Sequence, residues 1–228
     1  MPRTMNRAAL LVLADGRFPA GGHAHSGGAE EAITAGRVRD VADLREFCRG
    51  RLHTSGLVAA GLAAAAATGY DPLLLDEAAD ARTAAPALRR TSRRLGRQLL
   101  RAARATWPCA ELDDLAATRP GGAHQSVVLG LTARGAGLLP VDAAYAAAYE
   151  SISGPVAAAV RLLRLDPFDA TAVLAHLAAD IDHVAAQAAE AAQHVHTDGV
   201  AALPAASAPL LDLTAEQHAT RPARLFAS

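Results

Sequence analysis

The chain has 228 residues, a formal net charge of −1 at pH 7 and 51% hydrophobic residues. That is enough to bury one sizeable core and argues against a second full domain. The near-neutral charge excludes a polycation that condenses on nucleic acid or anionic lipid, and because all 22 basic residues are arginine, a GxxxxGK[ST] phosphate loop is excluded as well.

Aromatic residues are only 4% of the chain while alanine fills long stretches, so the core must be Ala, Leu and Val between closely approaching helices. Cys48 and Cys109 are far apart and form no CxxC pair, which fits a reduced cytosolic protein.

In chain order, ALLVLAD (9–15) reads as a short apolar helix, cut off by Asp15 before it resembles a secretion signal. GRFPAGGHAHSGG (16–28) follows, a dense group of glycines and histidines with three readings: a metal loop, a catalytic turn or a tight backbone corner. AEEAITAGR (29–37) is helical, with acidic residues first and Gly36 at its C-terminal end. DVADLREFCRGRL (40–52) opens with Asp40 as N-cap and Asp43 three residues on. GLVAAGLAAAAATGY (56–70) is shorter than the roughly 20 residues of a membrane span, so it reads as an internal helix.

GYDP and AAP within 69–86 mark a connection around a short helical piece, and 85–108 is the next long helix. On it Arg89, Arg90, Arg93, Arg94, Arg97, Arg101 and Arg104 share an arc of about 140°, opposite Leu88, Leu95, Leu99 and Ala102. CAELDDLAATRPGG (109–122) reads as a polar loop, and HQSVVLGLTARGAG (124–137) as an apolar helix. The helix over 141–165 is expected to start at Asp142 and to break at Gly154-Pro155. Asp169 then caps what reads as the longest helix, with a seam through Leu174, Leu177, Ile181, Val184, Ala188, Ala191 and Val195. No strand pattern appears, so the expected fold is an all-α, single-domain bundle of roughly eight to ten helices.

Four features could carry chemistry. His23 and His25 could grip a metal if the loop is extended, but no further ligands lie nearby in sequence. Ser26, in A-H-S-G-G, lacks the strand of a nucleophile elbow, so it reads as the N-cap of the AEEAI helix or as a hydrogen bond closing the turn. His176, Asp180 and His183 would share one helix face as a metal site requires, yet any amphipathic helix has such a polar face. The arginine face reads as solvated first, as a contact for an acidic protein second and as nucleic-acid binding third. Leu210, Leu211, Leu213, Leu225 and Phe226 make the C-terminal end too apolar to be free; it packs on its own bundle or on another protein.

Pro19, Ala20, Gly21, Gly22, three further residues, then Ser26, Gly27, Gly28, Ala29 and Glu30 form a pattern that resembles the UreF family of urease accessory proteins. SRRLGRQLL (92–100), HQSVVLG (124–130), AAAVRLLRLD (157–166) and PLLDLTAEQHATRPARLFAS (209–228) are similar to later family signatures, in the same order. The chain departs from the family at His23 and His25, often aromatic there, at Ala219 after His218, and at Leu165-Asp166-Pro167.

The resemblance implies a cytoplasmic, homodimeric, non-catalytic protein that joins a UreD/UreH-type accessory protein to the GTPase UreG and delivers nickel to apo-urease, with possible control of GTP hydrolysis. It implies no stably bound cofactor, nickel at most in transit, and no nucleic-acid or membrane partner. Residues 1–200 would form the helical domain and 201–228 a partner-docking tail, with Arg224, Leu225, Phe226, Leu211 and Leu213 making the contact. Pro19, Gly21, Gly22, Ser26, Gly28 and Glu30 would form a structural turn, leaving His23, His25, His176, Asp180 and His183 as weak metal candidates. The alternatives are a metal-dependent hydrolase built on His176, Asp180 and His183, and an RNA-binding module built on the arginine face.

Overall fold

The computed structural model describes residues 7–222, 225 and 226, apart from the side chains of Arg7 and His23. Among them there is no strand. The helices are α1 (Arg7–Ala14), α2 (Ala29–Thr34), α3 (Val41–Arg51), α4 (Leu57–Thr68), α5 (Pro72–Ala81), α6 (Pro86–Thr106), α7 (Ala110–Thr118), α8 (Gln125–Gly135), α9 (Pro140–Leu163), α10 (Pro167–His176), α11 (Ala178–Gln193), α12 (Val195–Asp198) and α13 (Pro209–Ala219). These are more segments than the eight to ten expected, because single-residue breaks at Leu177 and His194 divide the C-terminal helix into α10, α11 and α12, and 110–118 adds α7.

α4 is apolar on every side, and it lies at the centre against α8, α9 and α11. Small residues let these helices close up: a Cβ on Gly130 of α8 would collide with the Ala63 carbonyl of α4. Shape-matched alanines and glycines thus replace the missing aromatics in the core.

α3 and α4 are one continuous helix, joined by a π-helical segment, Leu52–Gly56. The extra residue in that turn is accommodated at Gly56, where a Cβ would press on Ser151 of α9.

Four local expectations change. Residues 110–118 are helical, with Leu112 and Leu115 buried beneath the polar residues that suggested a loop. α9 runs unbroken through Gly154 and Pro155, because the Ser151 carbonyl that Pro155 cannot serve accepts the Arg51 guanidinium Nε–H at 2.7 Å. Leu139 rather than Asp142 is the N-cap of α9, and the Asp142 carboxylate accepts the Leu139 N–H at 2.8 Å. Asp166 rather than Asp169 caps α10, and the long C-terminal helix is divided at Leu177 into α10 and α11.

The middle of the bundle is tied by ions from the 69–86 connection and from the arginine face expected to be solvated. Asp76, 1% exposed, accepts from Arg93 at 2.9 Å, from Arg119 at 3.1 Å and from the His124 backbone N–H at 2.8 Å. Asp80 bonds Arg93 at 2.6 Å and His124 Nε2 at 2.8 Å. Burial pushes the Asp80 carboxyl up, but bonds from His124 and Arg93 outweigh it and hold the group below its usual range. A buried carboxylate with this many donors fixes α5, α6 and the start of α8 in one register.

Candidate docking site where the N-terminal turn meets the C-terminal tail

The glycine-rich segment is a corner. After Pro19, Gly21 takes φ 80°, and the side-chain amide of Gln98 on α6 fills the space a Cβ would need. Gly22–Ala24 is one 3₁₀ turn, and Gly27 (φ 59°) and Gly28 (φ 90°, the N-cap of α2) reverse the chain again. Gly27 faces Pro155 and Gly28 faces Leu211 of α13, so both close approaches use the missing side chain. Gly22 has no such demand, since nothing lies within 4 Å of a Cβ there.

Ser26 is fully buried, and its hydroxyl accepts the Glu30 N–H at 3.3 Å. It closes the turn from inside, while Gly28 takes the N-cap position foreseen for Ser26. His25 is also buried, with Nε2 3.4 Å from Arg94 Nη2 of α6. The His23 side chain lies outside the described residues.

Glu30 holds the two ends of the chain together. Its carboxylate accepts the backbone N–H groups of Leu225 at 2.7 Å and Phe226 at 3.1 Å, and His218 Nε2 lies 2.9 Å away. Next to it the Glu31 carboxylate pairs with Arg221 at 2.9 Å. Burial raises the Glu30 carboxyl, but the Leu225 N–H, His218 and the Phe226 N–H more than offset this and hold it below the usual range. No local pattern could reveal the contact, because 188 residues separate Glu30 from His218. The one sequence signal was an excess of apolar residues at the end of the chain.

The five expected docking residues have different positions. Phe226 is buried at 7% exposure, and Leu211 packs against Gly28, so both face the chain's own bundle. Leu213 and Leu225 point outward at 65% and 79% exposure, with Leu210 also exposed. Arg224 lies outside the described residues. α13 itself packs on α2 and α6, where Asp212 accepts the Ala85 N–H at 3.0 Å and Glu216 the Ala87 N–H at 2.6 Å.

The metal candidates on the C-terminal helices are separated. His176 ends α10, and Asp180 and His183 lie on α11, beyond the break at Leu177. Asp180 instead bonds His53 of the π segment at 2.8 Å and lies 3.8 Å from Arg49, and His53 faces His183 with ring centres 6.2 Å apart. Among the described residues, no group of three or more His, Cys, Asp or Glu side chains is arranged to hold a metal ion. No helix among them is long and apolar enough to cross a membrane.

Comparison with known proteins covers both ends of this site. The UreF family model matches residues 38–178, the helical middle between the turn and the tail. A urease accessory protein UreF of Mycolicibacterium vanbaalenii is 44% identical over 225 residues, spanning 97% of this chain and 98% of the relative. A UreF of Mycobacterium marinum is 44% identical over 222 residues, with 97% of this chain and 98% of the relative covered. A UreF of Mycobacterium tuberculosis is 42% identical over 224 residues, again covering 97% and 98%. The helical bundle, the corner at Pro19–Glu30 and the tail that closes on it therefore occur in a chain that belongs to the UreF family of urease accessory proteins.

Proposed function

We propose that the protein is a non-catalytic, cytoplasmic, homodimeric scaffold of urease maturation. It joins a UreD/UreH-type accessory protein to the GTPase UreG, so that nickel reaches apo-urease and GTP hydrolysis waits for the complete assembly. Nickel is cargo in this reading and not a resident cofactor, and neither nucleic acid nor membrane is a partner.

The observation that carries the proposal is the divided character of the tail. Glu30 and the pocket around Phe226 fix its end, while Leu213 and Leu225 remain exposed. Large apolar side chains presented on an anchored segment mark a contact surface, because anchoring removes part of the ordering cost of binding. In this division Leu213 and Leu225 touch the UreD/UreH-type protein, while Leu211 and Phe226 hold the tail in the presenting position. Arg224, beside Leu225 in sequence, belongs to the same contact.

Co-expression with the UreD/UreH-type protein, followed by gel filtration with light scattering, tests this. The full chain forms the complex, and a chain ending at Ala219 does not. Truncation also removes the Phe226 anchor, so Leu213→Asp with Leu225→Asp is the sharper variant. It keeps the fold and weakens the complex by about tenfold or more, the loss expected for a contact centre. Unchanged binding by that variant would overturn the assignment.

A further inference from the structure

α6 carries a cationic strip that the docking role of the tail does not use. Arg90, Arg94, Arg97 and Arg101 follow one another at spacings of four, three and four, within an arc of about 60° and over roughly 16 Å of helix. Within the strip Arg94 also reaches His25 at 3.4 Å, and outside it Arg93 is engaged with Asp76 and Asp80, Arg89 with the Thr83 and Ala84 carbonyls, and Arg104 with Asp113 at 2.6 Å. Arg90, Arg97 and Arg101 are exposed and make no ion pair among the described residues. The strip lies opposite Leu95 and Leu99, which fix α6 to the bundle, so its direction is held from behind.

At its N-terminal end the strip borders a cavity of about 520 Å³ lined by Arg90, Arg94, Leu88 and Glu31 and, across from them, by Leu211 and Thr214 of α13. Glu31 is 3% exposed, and its Oε2 has no hydrogen-bond partner among the described residues. A ligand for this groove therefore presents carboxylates to the arginines, apolar surface to the leucines and, from a side chain or the free first turn of a helix, an N–H donor to Glu31. A polypeptide has all three.

We infer that the Arg90–Arg101 face of α6 is a docking groove for an acidic, amphipathic helix of another protein. Carboxylates at matching spacings of four, three and four form a parallel row of ion pairs, bidentate where the guanidinium planes allow it. Nucleic acid fits less well. The strip has no stacking aromatic between its arginines, and the apolar and donor-seeking walls of the adjoining cavity have no counterpart in a phosphate backbone. The cavity end of the groove also borders Leu211 and Thr214 of α13, whereas Arg97 and Arg101 lie outside that cavity and beyond the α13 contacts at Ala85 and Ala87, so changes at those two positions test the groove apart from the tail contact.

The test is fluorescence anisotropy with the full chain and three labelled probes near physiological salt. The first is a helical peptide of about 18 residues with glutamates at the matching spacing on one face. The second has the same composition with the glutamates spread around the helix, and the third is a single-stranded RNA of equal charge. The matched peptide binds about tenfold tighter than the shuffled one, the gain expected from several aligned surface ion pairs. Arg97→Glu with Arg101→Glu abolishes that preference, while Arg104→Glu, a change in an arginine already paired, leaves affinity within about twofold. Both substitutions are at exposed positions, and unchanged thermal unfolding confirms the fold. Equal binding of the two peptides, tighter binding of RNA, or self-association lost in the double variant would each overturn the inference.

Discussion

The carboxylate of Glu30 accepts the backbone N–H of Leu225 at 2.7 Å, joining positions 195 residues apart. The bond turns the N-terminal corner into the receptor for the chain's own tail. Glu30→Ala leaves the Leu225 and Phe226 N–H groups and His218 without their acceptor, at a cost of about 2–3 kcal/mol to tail docking. Amide hydrogen exchange at 225 and 226 should then accelerate by about 30-fold or more, with α4 and α9 little changed. The sign with pH follows from the lowered Glu30 carboxyl: its stabilisation is complete above the ordinary carboxylate value of about 4.3 and is lost as pH falls through the lower folded value. Acid should therefore release the tail in the wild type, and Glu30→Gln should remove that dependence.

Glu150 has the opposite sign. Burial lifts its carboxyl to about 7, while Gln125 Nε2 donates to it at 3.0 Å. A carboxyl raised on folding binds a proton that the unfolded chain has released, so its contribution to stability declines from about pH 4.5 to about 7 and then levels off. Glu150→Gln keeps a hydrogen-bonding amide and removes the decline. The variant should be more stable than wild type at pH 8 by about 1–2 kcal/mol and no more stable at pH 4.5, by urea unfolding. A constant difference across that range would mean the carboxyl does not titrate there.

The corner separates conformational need from mere composition. Gly21→Ala places a Cβ at φ 80° and against the Gln98 amide, and should cost about 1–3 kcal/mol. Gly22→Ala meets open space and should stay within about 0.5 kcal/mol of wild type. Equal losses at the two positions would show that the family's paired glycines answer to something other than backbone geometry.

What the sequence made legible depended on whether the signal was local. Apolar periodicity located most of the helices, the Asp40 cap is formed as read, with the Asp43 N–H donating to its carboxylate at 2.8 Å, and the ordered motifs led to the family. Residues 110–118 were missed because two buried leucines in nine residues are a weak period. The ion network at Asp76 was missed because its partners come from α6, from Arg119 after α7 and from the start of α8. The His176–Asp180–His183 face was read on one unbroken helix, whereas the helix is divided at Leu177 and Asp180 is taken by His53 from the π segment. At the site, the glycine corner and the apolar tail were each visible, whereas their junction through Glu30 was not. Only folding brings them within hydrogen-bonding distance.

The expected break at Gly154-Pro155 failed for a reason that can be tested. Proline at 155 removes the N–H that would bond the Ser151 carbonyl, and Arg51 supplies the replacement at 2.7 Å. Arg51→Ala alone strands that carbonyl in the interior and should cost about 1–3 kcal/mol. Pro155→Ala restores a backbone donor four residues after Ser151, so in that background the carbonyl keeps a partner when Arg51 is removed. The cost of Arg51→Ala should then shrink by about 1 kcal/mol or more, measured as the coupling energy of a double-mutant cycle in urea unfolding. Costs that add to within about 0.3 kcal/mol would show that Arg51 stabilises the bundle by packing and not by capping the proline's orphaned carbonyl.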